Sequence, residues 1–283
     1  MHQFAQLSQR LFNTPLMILP NKAEVIMASL SERLGITAIV RAGGDDDFTW
    51  REEPDAGYRG YDTVANVGVI EIRGTLVQRT GTLRPFSGMT GYDGIRQNLI
   101  TALADPDIDA IALDIDSPGG EVAGCFDLAD TIYRARQVKP IWAILGENAF
   151  SAAYALASAA DVITVPRTGG TGSIGVIVMH VSLQEALKKQ GIEVTLITKG
   201  DLKGEGSEMF NLTEDAFARI KADVDEVGDL FDRTVARNRG LSRKKVFDTQ
   251  AGTYLGQAGV EYGLADAVMA PDEAFRALID TLD

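Results

Sequence analysis

The chain has 283 residues, of which 45% are hydrophobic and 24% are charged, a composition typical of a globular protein. Its net charge of −13 argues against a nucleic-acid-binding surface, which needs clustered Lys and Arg, and against docking on an anionic membrane. The only cysteine, Cys125, cannot form an intramolecular disulfide, and we expect it to be a small buried residue. The sequence has two histidines and neither CxxC nor HExxH, so we expect no zinc site, and we also expect no cofactor.

No stretch of the sequence reaches the roughly 18 apolar residues that a membrane-spanning helix needs. The first twenty residues also lack the basic, apolar and small-residue pattern of a signal peptide. We therefore expect a cytoplasmic protein without a membrane anchor.

The sequence divides into an opening section, residues 1–63, and a main domain, residues 64–283. In the opening section, apolar residues with helical spacing predict a helix at 21–34, and the polar, glycine-rich range 41–60 predicts a linker. The acidic run at 45–47 is typical of a solvated surface.

The main domain alternates predicted strands with predicted helices, which indicates an α/β fold with a parallel sheet. Strands are predicted at 67–73, 108–115, 140–145, 162–165, 174–179 and 194–197. Helices are predicted at 93–104 with Asp93 as the cap, at 121–136, after Ser151, and at 183–190, 213–238, 242–247, 257–262 and 272–282. The glycine-containing range 75–94 is predicted to be a flap or a subunit contact.

Ser151 is the first candidate for chemistry, since it stands between a predicted strand and a predicted helix among small residues. The free N–H groups and the dipole at a helix N-terminus favour a developing negative charge, which suits a nucleophile. A helix N-cap serine would satisfy the same N–H groups without any chemistry, and on local sequence the cap is the commoner case.

A second candidate is the strand-to-helix turn Ser117-Pro118-Gly119-Gly120. Its glycines allow close approach of a ligand, so Gly119 or Gly120, together with the N–H of Ala152, could form an oxyanion hole. The same turn could equally bind a phosphate, and a Gly-Gly pair between strand and helix is common.

A serine nucleophile needs a base, and neither His2 nor His180 is in a promising position. GxSxG is absent around Ser151, which argues against an α/β-hydrolase nucleophile. Lysine is the usual alternative, and Lys199 and Lys203 lie in a glycine-rich stretch after the predicted strand 194–197. An exposed loop lysine is the ordinary interpretation of either one. Ser173, in a turn between Ser151 and these lysines, could orient an amine.

Four motifs in this order, SPGG, FSAAYALASAAD, TGSIGV and TKGDLKGEG, resemble those of the S49 peptidases, the signal peptide peptidase A group. The resemblance covers about residues 67–269. Within the family, PFSGMTGYDGI, GGEVAGCFDLAD, RTGGTGSIGV, LKKQGIEVTLI and the opening NTPLMILPNKAEVI are most similar to the lambda-type phage capsid (prohead) maturation proteases.

The resemblance implies a ClpP/crotonase-like ββα spiral with helical N- and C-terminal additions, and a homo-oligomer. It makes Ser151 the nucleophile, Lys203 the general base, Ser173 the residue that positions the lysine, and Gly119 and Ala152 the oxyanion donors. Alanine at 152 and 153 departs from the Ser-Gly-Gly-Tyr-like motif of many signal peptide peptidases. Implied substrates are scaffold, portal and capsid proteins in phage head maturation.

Three other interpretations remain open at this point. The chain could degrade membrane-released peptides as signal peptide peptidases do, or it could be a crotonase-fold acyl-CoA enzyme. It could also be an inactive module of capsid assembly. The acyl-CoA interpretation would need acidic catalytic residues and an adenine site, for which the sequence offers no clear candidate.

Overall fold

The structure is a computed structural model that describes residues 13–33 and 59–282. Its strands are β1 (Leu16–Ile18), β2 (Asp62–Val64), β3 (Val67–Arg73), β4 (Thr75–Val77), β5 (Met89–Gly91), β6 (Ala110–Ser117), β7 (Gly119–Glu121), β8 (Ile141–Phe150), β9 (Val162–Val165), β10 (Gly170–Gly172), β11 (Thr253–Leu255) and β12 (Ala267–Val268). Its helices are α1 (Pro20–Arg33), α2 (Tyr92–Ala104), α3 (Cys125–Ala135), α4 (Ala152–Ser158), α5 (Gln184–Lys189), α6 (Glu214–Arg239), α7 (Arg243–Phe247), α8 (Gln257–Tyr262) and α9 (Pro271–Asp280).

The larger sheet has a parallel centre made of β3, β6, β8 and β10, with β9 also parallel to β8. β2 and β11 pair antiparallel at its two ends, and β12 lies beside β9. One face packs on the main core with α2, α3 and α4, and the other packs on α9 through Ala274 and Leu278. Cover on both faces explains why β6 and β8 read as nearly continuous apolar runs.

A smaller sheet has the strand order β1-β7-β4-β5. Its strands β4 and β7 each follow directly from a strand of the larger sheet, β3 and β6. Helix α3 follows β7, and the short strand β5 and then helix α2 follow β4. Two successive ββα turns result, and both sheets bury apolar side chains in one shared core. The predicted α/β class and the ββα spiral are therefore confirmed.

The helix predicted at 213–238 is confirmed as α6, and its ends show why it stops where it does. The hydroxyl of Thr213 accepts the N–H of Ala216 at 3.2 Å, and Gly240 ends the helix with φ 64°. Glu214 and Asp215 lie in the first turn and Arg237 and Arg239 in the last, so the charges match the helix dipole.

The strands predicted at 174–179 and 194–197 are wrong. The first is an extended segment without a strand ladder, joined to residues 13–16 by an isolated bridge at Ile177 and by a hydrogen bond to the carbonyl of Met179, and the second is irregular and mostly exposed. Ile197 keeps 91% of its surface exposed, so its apolar neighbourhood is not a buried strand of this chain. An apolar run often indicates a buried strand, but among the described residues 194–197 pair with no strand.

The range 75–94 is also more regular than the predicted flap, since it contains β4 and β5. Helix α2 begins at Tyr92 with Gly91 as its cap, so the prediction of Asp93 as the cap is wrong. The Asp93 carboxylate instead accepts the N–H groups of Thr80 and Gly81, at 3.2 and 3.1 Å, which fixes the loop between the two strands.

In the opening section, the helix predicted at 21–34 corresponds to α1, which the structure describes to Arg33. Nearly all of the predicted linker at 41–60, including its acidic run, lies outside the described residues. Among the described residues, no helix is both long and apolar enough to cross a membrane.

We predict that packing of the C-terminal half of α6 against the rest of the domain stabilises the fold. Phe231 is fully buried, and its ring meets that of Phe126 edge-on at 5.8 Å between centroids. Phe231→Ala should lower the free energy of unfolding by about 3–5 kcal/mol through the cavity it leaves. Phe247→Ala is the matched control, because that ring is 58% exposed and its loss should cost less than about 0.5 kcal/mol. Equal costs in urea denaturation would contradict this packing.

Candidate active site

Parallel pairing of β8 with β10 brings Ser151 and Ser173 together. Phe150 lies opposite Gly172 in the register, and the N–H of Ser151 donates to the carbonyl of Gly172 at 2.9 Å. Each serine is the first residue after its strand, so both lie at the same carboxyl edge of the sheet, where parallel α/β folds place ligands.

Ser151 does not act as a helix cap. Its backbone has φ 56° and ψ −120°, outside the extended region that caps adopt, and its hydroxyl makes no cap hydrogen bond. The nearest partner of Oγ is the carbonyl of Gly175 at 3.5 Å, so the hydroxyl is held only weakly. A positive φ on a serine at a sharp strand-to-helix turn is strained, and such strain concentrates at functional sites.

Gly119 lies directly against Ser151. It has φ 96°, and a Cβ built on it would lie 2.9 Å from the Cβ of Ser151 and 2.2 Å from the carbonyl oxygen of Met17. Its N–H donates to the hydroxyl of Ser117 at 3.2 Å, and that hydroxyl donates to the carbonyl of Gly74 at 2.6 Å. The turn is therefore fixed next to the nucleophile candidate, and only glycine fits there.

The other two oxyanion candidates differ in position. Ala152 is the first residue of α4, where backbone N–H groups have no partner within the helix, and it is fully buried beside Ser151. Gly120 pairs with Met17 on one side and with Leu76 on the other, within the smaller sheet. Of the two glycines, Gly119 is thus the one in contact with the serine.

Ser173 is held in a second strained turn. Its φ is 54°, it is 5% exposed, and its N–H donates to the carbonyl of Gly252 at 2.8 Å. Behind it, Gln250 and Ala251 both have positive φ, and Ala251 packs where a Cβ on Gly175 would come within 2.7 Å. This supporting loop is not predicted from the sequence, because TQAG contains only one of the residues that usually mark a left-handed turn.

Lys203 is not joined to this group. It lies in an exposed turn where its N–H donates to the carbonyl of Gly200 at 3.2 Å, and no hydrogen bond among the described residues links its side chain to Ser151 or Ser173. Lys199 is exposed on the same stretch. The structure thus brings four predicted site residues together, namely Gly119, Ser151, Ala152 and Ser173, and leaves the predicted base outside.

We call residues 181–213 the arm, and none of them is buried. Helix α5, within it, buries none of its residues. The base of the arm is tied by the N–H of Leu183 to the carbonyl of Glu208, and by the hydroxyl of Ser182 to the amide of Asn211, each at 2.7 Å. Large apolar side chains on the arm are nonetheless exposed: Ile192, Leu196, Ile197, Leu202 and Met209.

Other reactive groups are unsuited to the role of nucleophile or base. Burial raises the pKa of the Cys125 thiol to about 12, so it is protonated and inert at neutral pH, as the sequence predicts for a small buried residue. His180 pairs with Asn13 at 3.1 Å, away from the serines. The described residues contain no group of three or more His, Cys, Asp or Glu side chains that could hold a metal ion.

A strained serine beside a glycine turn, at the carboxyl edge of a ββα spiral, defines the class of a serine hydrolase site. Comparison with protein families identifies the family within this class: the model of peptidase family S49 matches residues 134–282. The chain belongs to peptidase family S49.

Individual relatives agree with that family. The chain is 40% identical over 283 residues to the capsid assembly protease C of Escherichia phage lambda, covering 96% of this chain and 64% of the relative. It is 39% identical to the head-tail preconnector protein GP5 of Enterobacteria phage P21, covering 96% of this chain and 56% of the relative. A putative signal peptide peptidase SppA of Enterococcus faecium is 27% identical, covering 64% of this chain and 55% of the relative. The chain thus spans less than two thirds of each of these proteins.

We predict that Gly119→Ala abolishes the chemistry of the site. The added methyl would strike the Met17 carbonyl and the Ser151 side chain, and φ 96° is unfavourable for alanine. Peptide hydrolysis should fall by at least about 100-fold, as when an oxyanion donor is lost.

Gly228→Ala is the matched control, because that glycine lies in α6 with nothing within 4 Å of the added methyl. It should keep full activity and gain about 0.5–1 kcal/mol of stability. Unchanged activity in Gly119→Ala would show that Gly119 does not line the site.

Proposed function

We propose that this chain is a serine endopeptidase with a Ser-Lys dyad, in which Ser151 is the nucleophile and Lys203 the general base. The observation that carries the proposal is the strained, uncapped Ser151 in contact with Gly119 at the edge of the sheet. Family membership supports peptidase chemistry at this site. We assign to Ser173 the role of positioning the lysine amine, and the β8–β10 register, which brings Ser173 beside Ser151, supports this assignment.

In this mechanism, neutral Lys203 takes the proton of the Ser151 hydroxyl as Oγ attacks a peptide carbonyl. The N–H groups of Gly119 and Ala152 stabilise the oxyanion of the tetrahedral intermediate. For Gly119, this requires the N–H to turn from the Ser117 hydroxyl, which it holds at 3.2 Å, toward the oxyanion. Protonated Lys203 then gives its proton to the leaving amine, and water hydrolyses the acyl-enzyme.

The position of the arm supports a dyad that forms between two copies of the chain. A lysine in water is protonated and cannot accept a proton, so a lysine base has to be covered. Lys203 is exposed and its arm presents five large apolar side chains, a surface typical of protein association. In a homo-oligomer, the arm of one copy would bury its apolar side chains against the next copy. The same contact would bring Lys203 of the first copy to Ser151 of the second.

For substrates, the names of the two phage relatives point to particle assembly, since one is a capsid assembly protease and the other a head-tail preconnector protein. By this analogy the substrates are scaffold, portal or capsid proteins in phage head maturation. The site of action would then be the assembling procapsid in the host cytoplasm. An inactive assembly module would share the fold and fail every activity test below.

Replacing either dyad member tests the chemistry directly. Ser151→Ala and Lys203→Ala should each lower the cleavage of labelled casein by at least about 1000-fold, because the two residues act as one unit. Labelling by a fluorophosphonate should disappear in Ser151→Ala. Lys199→Ala, four residues away on the same exposed arm, is the control and should keep its activity. Full activity in either dyad variant would refute the proposal.

Mixing two inactive variants tests the arrangement between copies. In a ring assembled from equal parts of Ser151→Ala and Lys203→Ala, an intact serine meets an intact lysine from its neighbour at about one quarter of all sites. We expect casein cleavage to recover to about that fraction of the wild-type rate after co-refolding. If the dyad forms within one chain, the mixture stays inactive at every ratio.

A further inference from the structure

Strand β1 lies between β7 and the segment around Ile177, next to the candidate nucleophile Ser151. We call this position between the two segments the lane. On one side it pairs antiparallel with β7, with Ile18 opposite Gly119 and Met17 opposite Gly120. On the other side, Leu16 exchanges two hydrogen bonds of 2.9 Å with Ile177, and Asn13 donates to the carbonyl of Met179 at 3.0 Å. Residues 13–19 therefore bridge two segments that have no other strand between them.

Those two flanking segments both come from the site. β7 begins at Gly119, the residue in contact with Ser151, and the segment around Ile177 continues directly from Ser173. Peptides commonly bind as added strands, held by main-chain hydrogen bonds to an exposed sheet edge. A substrate presenting its carbonyl to Ser151 and to Gly119 would add along the same lane, if the proposed peptidase function is correct.

The lane is filled tightly in this structure. Leu16 and Ile18 are each 4% exposed and Met17 is fully buried, while the Met17 carbonyl lies against the same face of Gly119 as the Ser151 side chain. Ser151 itself is only 1% exposed. A substrate carbonyl cannot reach its hydroxyl until a neighbouring segment moves.

The end of the segment shows that it is not arranged for cleavage. The carbonyl of Leu19 accepts the N–H groups of Lys22 and Ala23, at 2.9 and 3.2 Å, and Pro20 opens α1. The chain thus turns away into a helix, and that carbonyl is committed to capping it. The N–H of Leu19 is likewise taken, since it donates to the carbonyl of Pro118 at 2.9 Å.

We propose that residues 13–19 are an autoinhibitory strand, which occupies the substrate lane and must leave before a protein substrate can bind. The strand competes with substrate within the same molecule. The apparent KM is therefore the intrinsic KM divided by the fraction of molecules in which the lane is open, while kcat is unchanged. Its release is the step that would switch this peptidase on.

A reversible lock tests the proposal in the full chain. Leu16 and Glu121 lie opposite each other, and because both main-chain bonds of Leu16 go to Ile177, their pair is of the non-hydrogen-bonded kind. Such pairs have Cα atoms about 4.5 Å apart, within the range that a disulfide bridges. Leu16→Cys/Glu121→Cys should therefore crosslink on oxidation, and the fully buried Cys125 should not compete.

The reduced double variant should cleave labelled casein. After oxidation its rate should be at least about tenfold lower, and dithiothreitol should restore it. The single variant Glu121→Cys, treated alike, controls for loss of the contact between its carboxylate and the N–H of Gln78. Equal rates in the reduced and oxidised forms would refute the proposal of an autoinhibitory strand. They would leave the proposed peptidase function unaffected. A reduced form that neither cleaves casein nor reacts with a fluorophosphonate would overturn the peptidase function itself.

A second variant needs no crosslink. Ile18→Ala weakens the packing of the strand in the small cluster it forms with Leu16 and Ala23, so the apparent KM for casein should fall at least about fivefold at constant kcat. Leu278→Ala removes an equally buried side chain from the far face of the larger sheet and should leave KM unchanged. A KM that is the same in both variants and in the wild type would contradict the proposal.

Discussion

The in-register pairing of β8 and β10 is the constraint on which the candidate site depends. Because Phe150 meets Gly172, the residues that follow them, Ser151 and Ser173, lie side by side. Each takes a left-handed φ that costs about 1–3 kcal/mol, and the surrounding structure offsets this cost. The N–H of Ser151 donates to the carbonyl of Gly172 and that of Ser173 to the carbonyl of Gly252, and the carbonyl of Ser151 accepts the N–H of Ala155 in α4. The strain is therefore maintained by the sheet and not by the serines themselves.

The molecule separates the parts of the proposed reaction. The proposed nucleophile and oxyanion donors lie in the buried part of the fold, whereas the proposed base is on an exposed arm, which is held at its base and by the ion pair of Glu205 with Arg219 of α6. If both proposals hold, a single chain is inactive for two reasons: it lacks a base at Ser151, and β1 excludes the substrate. A peptidase that acts during particle assembly would benefit from both, since contact between copies and release of the strand would have to coincide.

Much of the fold could be predicted from the sequence, because the buried parallel strands and capped helices have strong local patterns. Thr213 and the charges of α6 defined that helix, and SPGG and the Ser151 stretch marked the turns that meet at the site. The failures have physical causes. Residues 194–197 are apolar but mostly exposed and form no strand, so an apolar run is here not a sign of a buried strand, and three-residue strands such as β1 are too short to show a period. The contact of β1 with β7 joins residues about a hundred positions apart, which no local pattern can indicate.

The most direct test of the Ser-Lys dyad between copies is the distance from Ser151 Oγ to Lys203 Nζ in a cryo-EM structure of the assembled protein. The account predicts a hydrogen-bond distance of about 2.6–3.2 Å, or a link through one water, between the serine of one copy and the lysine of its neighbour. It also predicts that the apolar side chains of the arm are buried in that contact. A Lys203 amine that remains in solvent in the assembly, far from every Ser151, would contradict the account.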